Sequence, residues 1–244
     1  MLSAVITSYN NAATLDRCLA SVGIADEILL LDSFSDDASL DIAAAHDAVI
    51  AQQRFAGYGP QKQRAVDLAS HDWILLMDAD EALSVEAQSE IAAMRDAQQL
   101  QGAGYRLRRR EWLAWREPIA QHGRWQGPLV RLTDHLRLFD RRQVRLSAHP
   151  IHAAPTAAVG TPLLRHELLH WGDAPFARRL AKQQGYARML AQQQPHRAAA
   201  WRQLASPAAA LLRDLLLRRY LLDGPLGWRA AWCSMQCSRL KFSA

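Results

Sequence analysis

The first hundred residues alternate between short apolar runs and segments with helical spacing, and this alternation limits most strongly how the chain can fold. Four apolar runs of strand length are each followed by a helix-like segment; the runs lie within residues 3–8, 26–33, 48–53 and 72–81. Strands that alternate with helices in this way are typical of a parallel sheet covered by helices on both faces. We therefore expect an α/β fold with a mostly parallel sheet.

Polar side chains follow three of these predicted strands directly. Tyr9, Asp32 and Asp78 each come just after an apolar run. In open parallel sheets, ligands bind beyond the carboxyl ends of the strands, so we expect the three side chains to converge on one crevice. Each has a structural alternative, because Asp32 could end a strand and cap a turn, and Tyr9 could pack within a loop.

The segment HDWILLMDADEALS, residues 71–84, places three acids after an apolar strand. Asp78, Asp80 and Glu81 raise one another's pKa unless a cation or hydrogen-bond donors compensate their charge. An Asp-x-Asp sequence at a strand end suits Mg²⁺ or Mn²⁺ that bridges a diphosphate, because hard cations prefer carboxylate and phosphate oxygens. Alternatively, the acids lie in the first turn of a following helix, where negative charge is favourable.

Charge divides the chain into two parts. Residues 1–100 contain 5 Lys+Arg and 16 Asp+Glu, a net charge of −11, whereas residues 101–244 contain 24 and 8, a net charge of +16. A basic surface attracts nucleic acid, anionic lipid or phosphorylated sugars, and charge alone does not decide among them. The three cysteines form no disulfide spacing pattern and the amino terminus has no signal-peptide pattern, so we expect a cytoplasmic protein.

The sequence pattern changes after Gly104 and again near residue 172. We expect a first half over residues 1–103, a second half of the same domain over residues 104–172, and a helical extension over residues 173–244. The extension has no uncharged apolar stretch of the roughly 20 residues that a transmembrane helix needs. It mixes leucine and tryptophan with arginine, which favours an interfacial helix that binds anionic lipid over a helix packed on the rest of the chain.

Three segments of the first half resemble one enzyme family. VITSYNNAATLDRCLASV, ADEILLLDSFSDDASLDIA and FAGYGPQKQRAVDLASHDWILLMDADEALS are similar to the nucleotide-sugar half of family 2 glycosyltransferases, which have the GT-A fold. DSFSDD, GYGPQKQRA and DADE resemble more specifically the branch that adds β-linked glucose to a heptose of the lipopolysaccharide inner core. LRLFDRR and PLLRHELLHWG resemble the acceptor half of that branch.

The resemblance implies a donor site for a UDP-sugar. Thr7 and Tyr9 would line the uracil pocket, with the tyrosine ring as a stacking face. Asp32 would accept a hydrogen bond from the uracil N–H, and Lys62 would contact the base or the diphosphate. The same resemblance implies an inverting transfer of glucose from UDP-glucose to an anionic glycolipid, with another cell-surface polysaccharide or a protein glycan as the alternative acceptor.

The resemblance also implies a divalent cation, Mg²⁺ or Mn²⁺. Asp78 would bind the ribose or a metal-associated water, and Asp80 would ligate the metal. Asp134, which precedes HLRLF, is the predicted catalytic base, with Glu117 and Glu111 as alternatives. The branch often has an aromatic-Pro-Asp sequence near this point, and the corresponding stretch of this chain lacks that proline.

Histidines in the second half offer a further set of ligands. His166 and His170 could share one helix face, and without a third ligand in view structural or phosphate-contacting histidines are favoured. The branch often has His-Glu where this chain has His152 followed by Ala153, so no role is assigned to His152.

Three other classes of protein compete with the transferase interpretation. A nucleotidylyltransferase would need a Gly-rich basic loop after the first strand, and TSYNNAATL contains neither glycine nor a basic residue. A nucleic-acid-binding module has no need of acids at the strand ends, because these repel phosphate, so we expect no nucleic-acid partner. A catalytically inactive scaffold stays open because the base is uncertain.

Overall fold

The computed structural model describes residues 1–114, 123–125, 133–147, 160–171 and 200–240. The chain divides into two compact units. The first comprises Met1–Glu111 and Leu132–Trp171, and the second comprises Trp112–Arg131 and Gly172–Ala244. Each unit is described separately below.

The described residues form one nine-stranded sheet. The strands are β1 (Leu2–Ser8), β2 (Glu27–Asp32), β3 (Val49–Gln52), β4 (Trp73–Asp78), β5 (Glu81–Leu83), β6 (Gly104–Ala114), β7 (Gly123–Trp125), β8 (Thr133–Asp140) and β9 (Leu163–Trp171). Their order is β3-β2-β1-β4-β8-β6-β9-β5, and β7 pairs with β6. Four helices of the first unit connect these strands: α1 (Ala12–Ser21), α2 (Ser39–Ala45), α3 (Tyr58–Leu68) and α4 (Val85–Asp96).

The parallel half of the sheet confirms the α/β prediction. β1 pairs in parallel with β2 and β4, and β2 pairs in parallel with β3. In this register Thr7 lies opposite Asp78, and Ser8 lies opposite Asp32. The carboxyl ends of the strands therefore meet at one edge of the sheet, as the sequence predicted. The strands from residue 104 onward pair antiparallel, beginning with β8 against β4.

Successive side chains of the parallel strands point to opposite faces of the sheet, and the apolar ones pack into a buried core on each face. Ala65 and Val66 of α3 belong to the same buried cluster as Val5 and Ile74. On the opposite face, the apolar side chains of α1 and α4 form a second cluster with alternate residues of β1, β2 and β4. Because both faces are covered by helices, the strands read as nearly continuous apolar runs.

Local sequence signals fix the ends of two helices. The Ser84 side chain accepts a hydrogen bond from the Ala87 N–H at 3.2 Å, so Ser84 is the N-cap of α4. Gly57 precedes α3 with φ of +102°, a backbone conformation that favours glycine because a Cβ is strained there. The chain thereby turns from β3 into the helix that carries Lys62.

The pairing of β8 with β6 contains a bulge that matters for the site. Tyr105 lies opposite Leu138 and the next residue, Arg106, lies opposite Leu136. Arg137 is thus the extra residue of β8 and has no partner across the strand pair. A bulge bends the strand and re-aims the side chain at the extra position.

The second unit is helical where its structure is described, apart from β7 and the end of β6. It contains α5 (Ala200–Leu212), a π-helical turn (Arg213–Leu217), a 3₁₀ turn (Tyr220–Asp223) and α6 (Gly224–Leu240). A small buried cluster of Leu215, Tyr220, Ala230 and Ala231 holds these elements together. Residues 173–199 of the predicted helical extension lie outside the described residues. Within the described helices, none is long and apolar enough to cross a membrane.

Gly104, at the start of β6, tests the close packing of β6 against β8. An added Cβ would lie 2.5 Å from the Leu138 carbonyl oxygen and 2.8 Å from the Phe139 Cβ, and φ is +152°. We expect Gly104→Ala to lower the free energy of unfolding by about 1–3 kcal/mol or more, because the backbone of β8 must shift.

Urea denaturation monitored by circular dichroism measures this loss. Gly23→Ala is the matched control, because its nearest heavy atom would be 3.6 Å from the new Cβ. Equal stabilities of the two variants would show that the close approach of β6 and β8 is wrong.

Candidate functional site

The acidic segment at the end of β4 forms a tight turn around one buried carboxylate. Asp78 ends β4, and Glu81 begins β5 three residues later. Glu81 is only 1% exposed, and its Oε2 accepts a hydrogen bond from the Asp78 backbone N–H at 3.1 Å. The Glu81 side chain therefore closes the turn that carries Asp78 and Asp80.

Basic side chains from two other elements neutralise this turn. Nη2 of Arg137, the bulge residue of β8, lies 2.8 Å from Asp78 Oδ2 and 2.6 Å from Glu81 Oε1. Lys62 of α3 forms an ion pair with the other Asp78 oxygen, Oδ1. Burial would raise the pKa of Asp78, but the charges of Lys62 and Arg137 hold it well below its usual range. Burial raises the pKa of Glu81, and Arg137 opposes that rise.

The ion pairs continue from Glu81 to Asp80 through residues of β6 and β9. Nη1 of Arg109 lies 3.5 Å from Glu81 Oε1, and its Nη2 lies 2.8 Å from Glu111 Oε1. His170 places Nδ1 at 2.8 Å from Glu111 Oε2 and Nε2 at 3.3 Å from Asp80 Oδ2. Burial would lower the pKa of His170, but the two carboxylates raise it to about 10.

These eight side chains form a single charged cluster at the carboxyl edge of the sheet, which we call the edge cluster: Lys62, Asp78, Asp80, Glu81, Arg109, Glu111, Arg137 and His170. Acids and bases alternate along it. The mutual repulsion of the acids is therefore compensated by protein cations, which is one of the two solutions that the sequence suggested. The structure brings together the predicted residues Lys62, Asp78 and Asp80, and Thr7 lies opposite Asp78 in the sheet register.

Sequence reasoning missed Arg137 and Arg109, and it placed His170 on a helix although it lies on β9. One signal could have found Arg137. It stands between Leu136 and Leu138 in an apolar strand, and a buried arginine requires an anionic partner. Nothing in the spacing of Arg109 or His170 indicates their partners.

Asp32 and Tyr9 lie at neighbouring strand ends but differ in exposure. The Asp32 side chain is fully buried, and it accepts hydrogen bonds from the Ser35 N–H at 2.8 Å and from the Ser35 hydroxyl at 2.5 Å. Ser35 Oγ in turn accepts from the Asn10 N–H, which ties the loops after β1 and β2 together. Tyr9 is 57% exposed and presents its ring to solvent.

The structure does not bring Asp134 into the edge cluster. Asp134 lies opposite Arg108 in the sheet, and its Oδ1 is 3.6 Å from Arg108 Nε in an exposed pair. Because successive residues of a strand point to opposite faces, Arg108 and Arg109 project from different faces of β6. Of the alternative bases, Glu111 belongs to the edge cluster, whereas Glu117 lies outside the described residues, as does His152.

Asp80 and His170 are the residues of the edge cluster that fit a divalent cation. They offer one carboxylate oxygen and one imidazole nitrogen 3.3 Å apart, and each side chain retains 18% exposure. Among the described residues no group of three His, Cys, Asp or Glu side chains is arranged around a common metal position. Because the two carboxylates favour the protonated form of His170, a cation held here would have to displace that proton from Nε2, and it would take its other ligands from a diphosphate or from water.

The order of the strands and the acidic turn at the carboxyl edge define the GT-A class of folds. A mannosyltransferase from Pyrobaculum calidifontis, PcManGT, solved with GDP-Man and Mn²⁺, has the same fold. The two structures match with a TM-score of 0.52 and 15% sequence identity over 98% of this chain and 86% of that one.

The chain belongs to glycosyl transferase family 2, whose family model matches residues 3–156. An uncharacterised glycosyltransferase of Rickettsia bellii is 43% identical over 91 residues, which are 37% of this chain and 31% of the relative. The chain thus matches about a third of the length of that relative. The lipopolysaccharide core biosynthesis glycosyltransferase LpsC of Rhizobium meliloti is 28% identical over 204 residues, covering 79% of this chain and 71% of LpsC.

Arg137 is the residue whose removal tests the edge cluster. Arg137→Met leaves Glu81 buried without its main counter-charge, so we expect the free energy of unfolding to fall by about 3–5 kcal/mol at pH 7. A buried carboxylate whose pKa is raised in the folded state destabilises that state while it is ionised. This destabilisation disappears when the carboxyl group is protonated. The deficit should therefore shrink as the pH falls through the pKa of Glu81.

Urea titrations at several pH values measure both effects. Arg108→Met is the matched control, because its pair with Asp134 is exposed and should contribute at most about 1 kcal/mol. An Arg137 variant with the stability and pH profile of the Arg108 variant would contradict the buried ion pairs.

Proposed function

We propose that the protein is an inverting glycosyltransferase that moves a hexose, glucose from UDP-glucose, onto an anionic glycolipid. The observation that supports this most is the edge cluster. A potential metal pair, Asp80 and His170, lies in the same network as the basic side chains of Lys62 and Arg137. This is the combination of charges that a nucleotide diphosphate and its cation require.

The donor nucleotide would bind across the carboxyl ends of β1, β2 and β4. Thr7 and Tyr9 are assigned to the uracil pocket, and the exposed Tyr9 ring offers a stacking face. Asp32 is assigned to the uracil N–H, and its present bonds to Ser35 mean that it also orders the loop around the base. Asp78 is assigned to the ribose or to a metal-associated water, and Lys62 to the base or the diphosphate.

Asp80 is the residue that would hold Mg²⁺ or Mn²⁺, and His170 would join it as a ligand when the cation displaces the proton from Nε2. A bound cation supplies charge neutralisation on the diphosphate as it leaves. Arg109 and Arg137 add donors to the same region. Their buried Nε–H groups have no acceptor among the described residues, and an unsatisfied buried donor is costly, so an anionic ligand within reach would be stabilised.

The proposed chemistry is a single displacement at C1 of the sugar. An acceptor hydroxyl oxygen forms a bond to C1 while the bond from C1 to the diphosphate oxygen breaks, and UDP leaves with that electron pair. A carboxylate accepts the hydroxyl proton. Attack from the face opposite the leaving group inverts the configuration at C1.

Two described carboxylates are candidates for the proton acceptor, Asp134 and Glu111. Asp134 pairs with Arg108 on the exposed face. Glu111 lies in the edge cluster, where His170 contacts both Glu111 and Asp80. The geometry therefore favours Glu111. Glu117 retains its assignment as an alternative base.

The likeness to LpsC, a lipopolysaccharide core biosynthesis glycosyltransferase, supports a lipopolysaccharide core acceptor. Within that core, the heptose region of the inner core is the acceptor that we propose. Another cell-surface polysaccharide or a protein glycan is the alternative. A lipid-linked acceptor would place the enzyme in the cytoplasm, at the inner face of the inner membrane. The basic residues of the second half would meet the phosphates of such an acceptor.

Asp80→Ala tests the donor site. Wild-type protein should bind UDP more tightly with Mn²⁺ than without it, and Asp80→Ala should abolish the metal-dependent part, a loss of at least about tenfold in affinity. Isothermal titration calorimetry with UDP, with and without Mn²⁺, measures this difference.

Glu86→Ala is the control for Asp80→Ala, because Glu86 is an exposed acid on α4, outside the edge cluster. Its metal-dependent binding should equal that of the wild type. If UDP binding is equally strong without Mn²⁺, or survives in Asp80→Ala, the metal assignment is wrong.

Glu111→Gln and Asp134→Asn separate the two candidate bases. We expect Glu111→Gln to lower kcat about 10²- to 10⁴-fold with UDP affinity preserved, and Asp134→Asn to remain near the wild type. UDP release from UDP-glucose with a heptose-bearing core lipopolysaccharide as acceptor measures kcat. The reverse ranking would assign proton transfer to Asp134, and weakened Mn²⁺–UDP binding in Glu111→Gln would assign Glu111 to positioning His170.

A further inference from the structure

The second unit exposes large apolar side chains at the end of α5, in both turns and on α6. We call this set the leucine–tryptophan face: Leu212, Leu216, Leu217, Leu221, Leu222, Trp228 and Trp232, which are between 49% and 76% exposed. All seven lie within residues 212–232, and several large apolar side chains exposed over one short stretch are typical of a surface that binds something else.

The orientation of α6 makes this exposure systematic. Trp228 and Trp232, one helical turn apart, point outward and are 49% and 57% exposed. The inward positions carry small residues, since Ala230, Ala231 and Cys233 are each at most 9% exposed. A helix that only stabilised the unit would bury its largest apolar side chains. Here the packing uses alanine and cysteine, and the tryptophans are left for another contact.

The surface charge on the same elements is mainly positive. Residues 200–240 contain six arginines and two aspartates, a net charge of +4. The arginines at positions 213, 219, 229 and 239 are exposed, whereas Asp214 is fully buried and Asp223 is half-buried. Asp214 Oδ1 lies 2.7 Å from Arg213 Nε and 3.4 Å from Arg218 Nε. The charge of Asp214 is therefore paired inside the fold and adds no negative charge to the surface.

This charge distribution indicates which kind of partner can bind the leucine–tryptophan face. A second copy of the chain, docked through the same face, would bring arginines against arginines, and opposed like charges are unfavourable. An anionic lipid surface accepts both components, because tryptophan and leucine enter the boundary between headgroups and acyl chains while arginines meet the headgroup phosphates.

We propose that the leucine–tryptophan face binds the surface of an anionic lipid bilayer, with α6 and the two turns lying in the plane of the interface. None of the described helices is long and apolar enough to span the bilayer. The inference concerns a surface of the second unit and not the transfer reaction, so it stands or fails separately from the proposed function.

Vesicle flotation of the full chain tests the proposal. Wild-type protein should float with vesicles of phosphatidylglycerol and phosphatidylcholine, and much less with phosphatidylcholine alone. The double variant Trp228→Ala/Trp232→Ala should bind the anionic vesicles at least tenfold more weakly. Arg229→Gln should weaken binding about fivefold, as expected for one charge near an anionic membrane, and added salt should weaken wild-type binding.

Phe55→Ala is the matched control, because Phe55 is 56% exposed but lies in the first unit. It should float like the wild type, and all variants should unfold at the wild-type temperature. Equal flotation of the tryptophan variant and the wild type, or equal binding to both vesicle types, would overturn the proposal. So would a dimer in sedimentation that the tryptophan substitutions dissociate while flotation is unchanged.

Discussion

The pairing of the buried Glu81 carboxylate with Arg137 is the interaction on which the edge cluster depends. Glu81 shapes the acidic turn through its bond to the Asp78 N–H, and a guanidinium 2.6 Å away opposes the rise in the pKa of Glu81 that its burial causes. The same guanidinium also contacts Asp78. The Arg137 side chain thus binds both Glu81, which holds the backbone of the turn, and the Asp78 carboxylate, which the turn carries.

This interaction also explains why the site needs both halves of the sheet. The acids lie at the carboxyl end of the parallel strands, whereas Arg137, Arg109 and His170 come from strands that pair antiparallel. The bulge at Arg137 aims a residue from the middle of an apolar strand toward the acids. Without these antiparallel strands, Lys62 would be the remaining base of the edge cluster against Asp78, Asp80 and Glu81, and the three acids would repel one another.

Much of the first half could be predicted because its signals are local. Strand and helix periodicity, the Ser84 cap and the positive φ of Gly57 each depend on a few neighbouring residues. The position of Arg137 between two leucines could have marked it as a buried base, but the partners of Arg137 and His170 could not be identified. Those partners lie more than fifty residues away, and the antiparallel register that joins them leaves no pattern in the sequence. Asp134 shows the same limit, because only the strand pairing reveals that it projects to the exposed face with Arg108.

The small inward side chains of α6 separate the packing of this helix from its surface chemistry. Ala230 and Ala231 fill the contact with the rest of the unit, so replacing an outward residue leaves the buried cluster unchanged. In evolution or in design, the outward positions can therefore change one at a time, while any enlargement of the inward positions is opposed by close packing. Substitutions at the outward positions can thus change the affinity of the second unit for what it binds while its buried core stays the same.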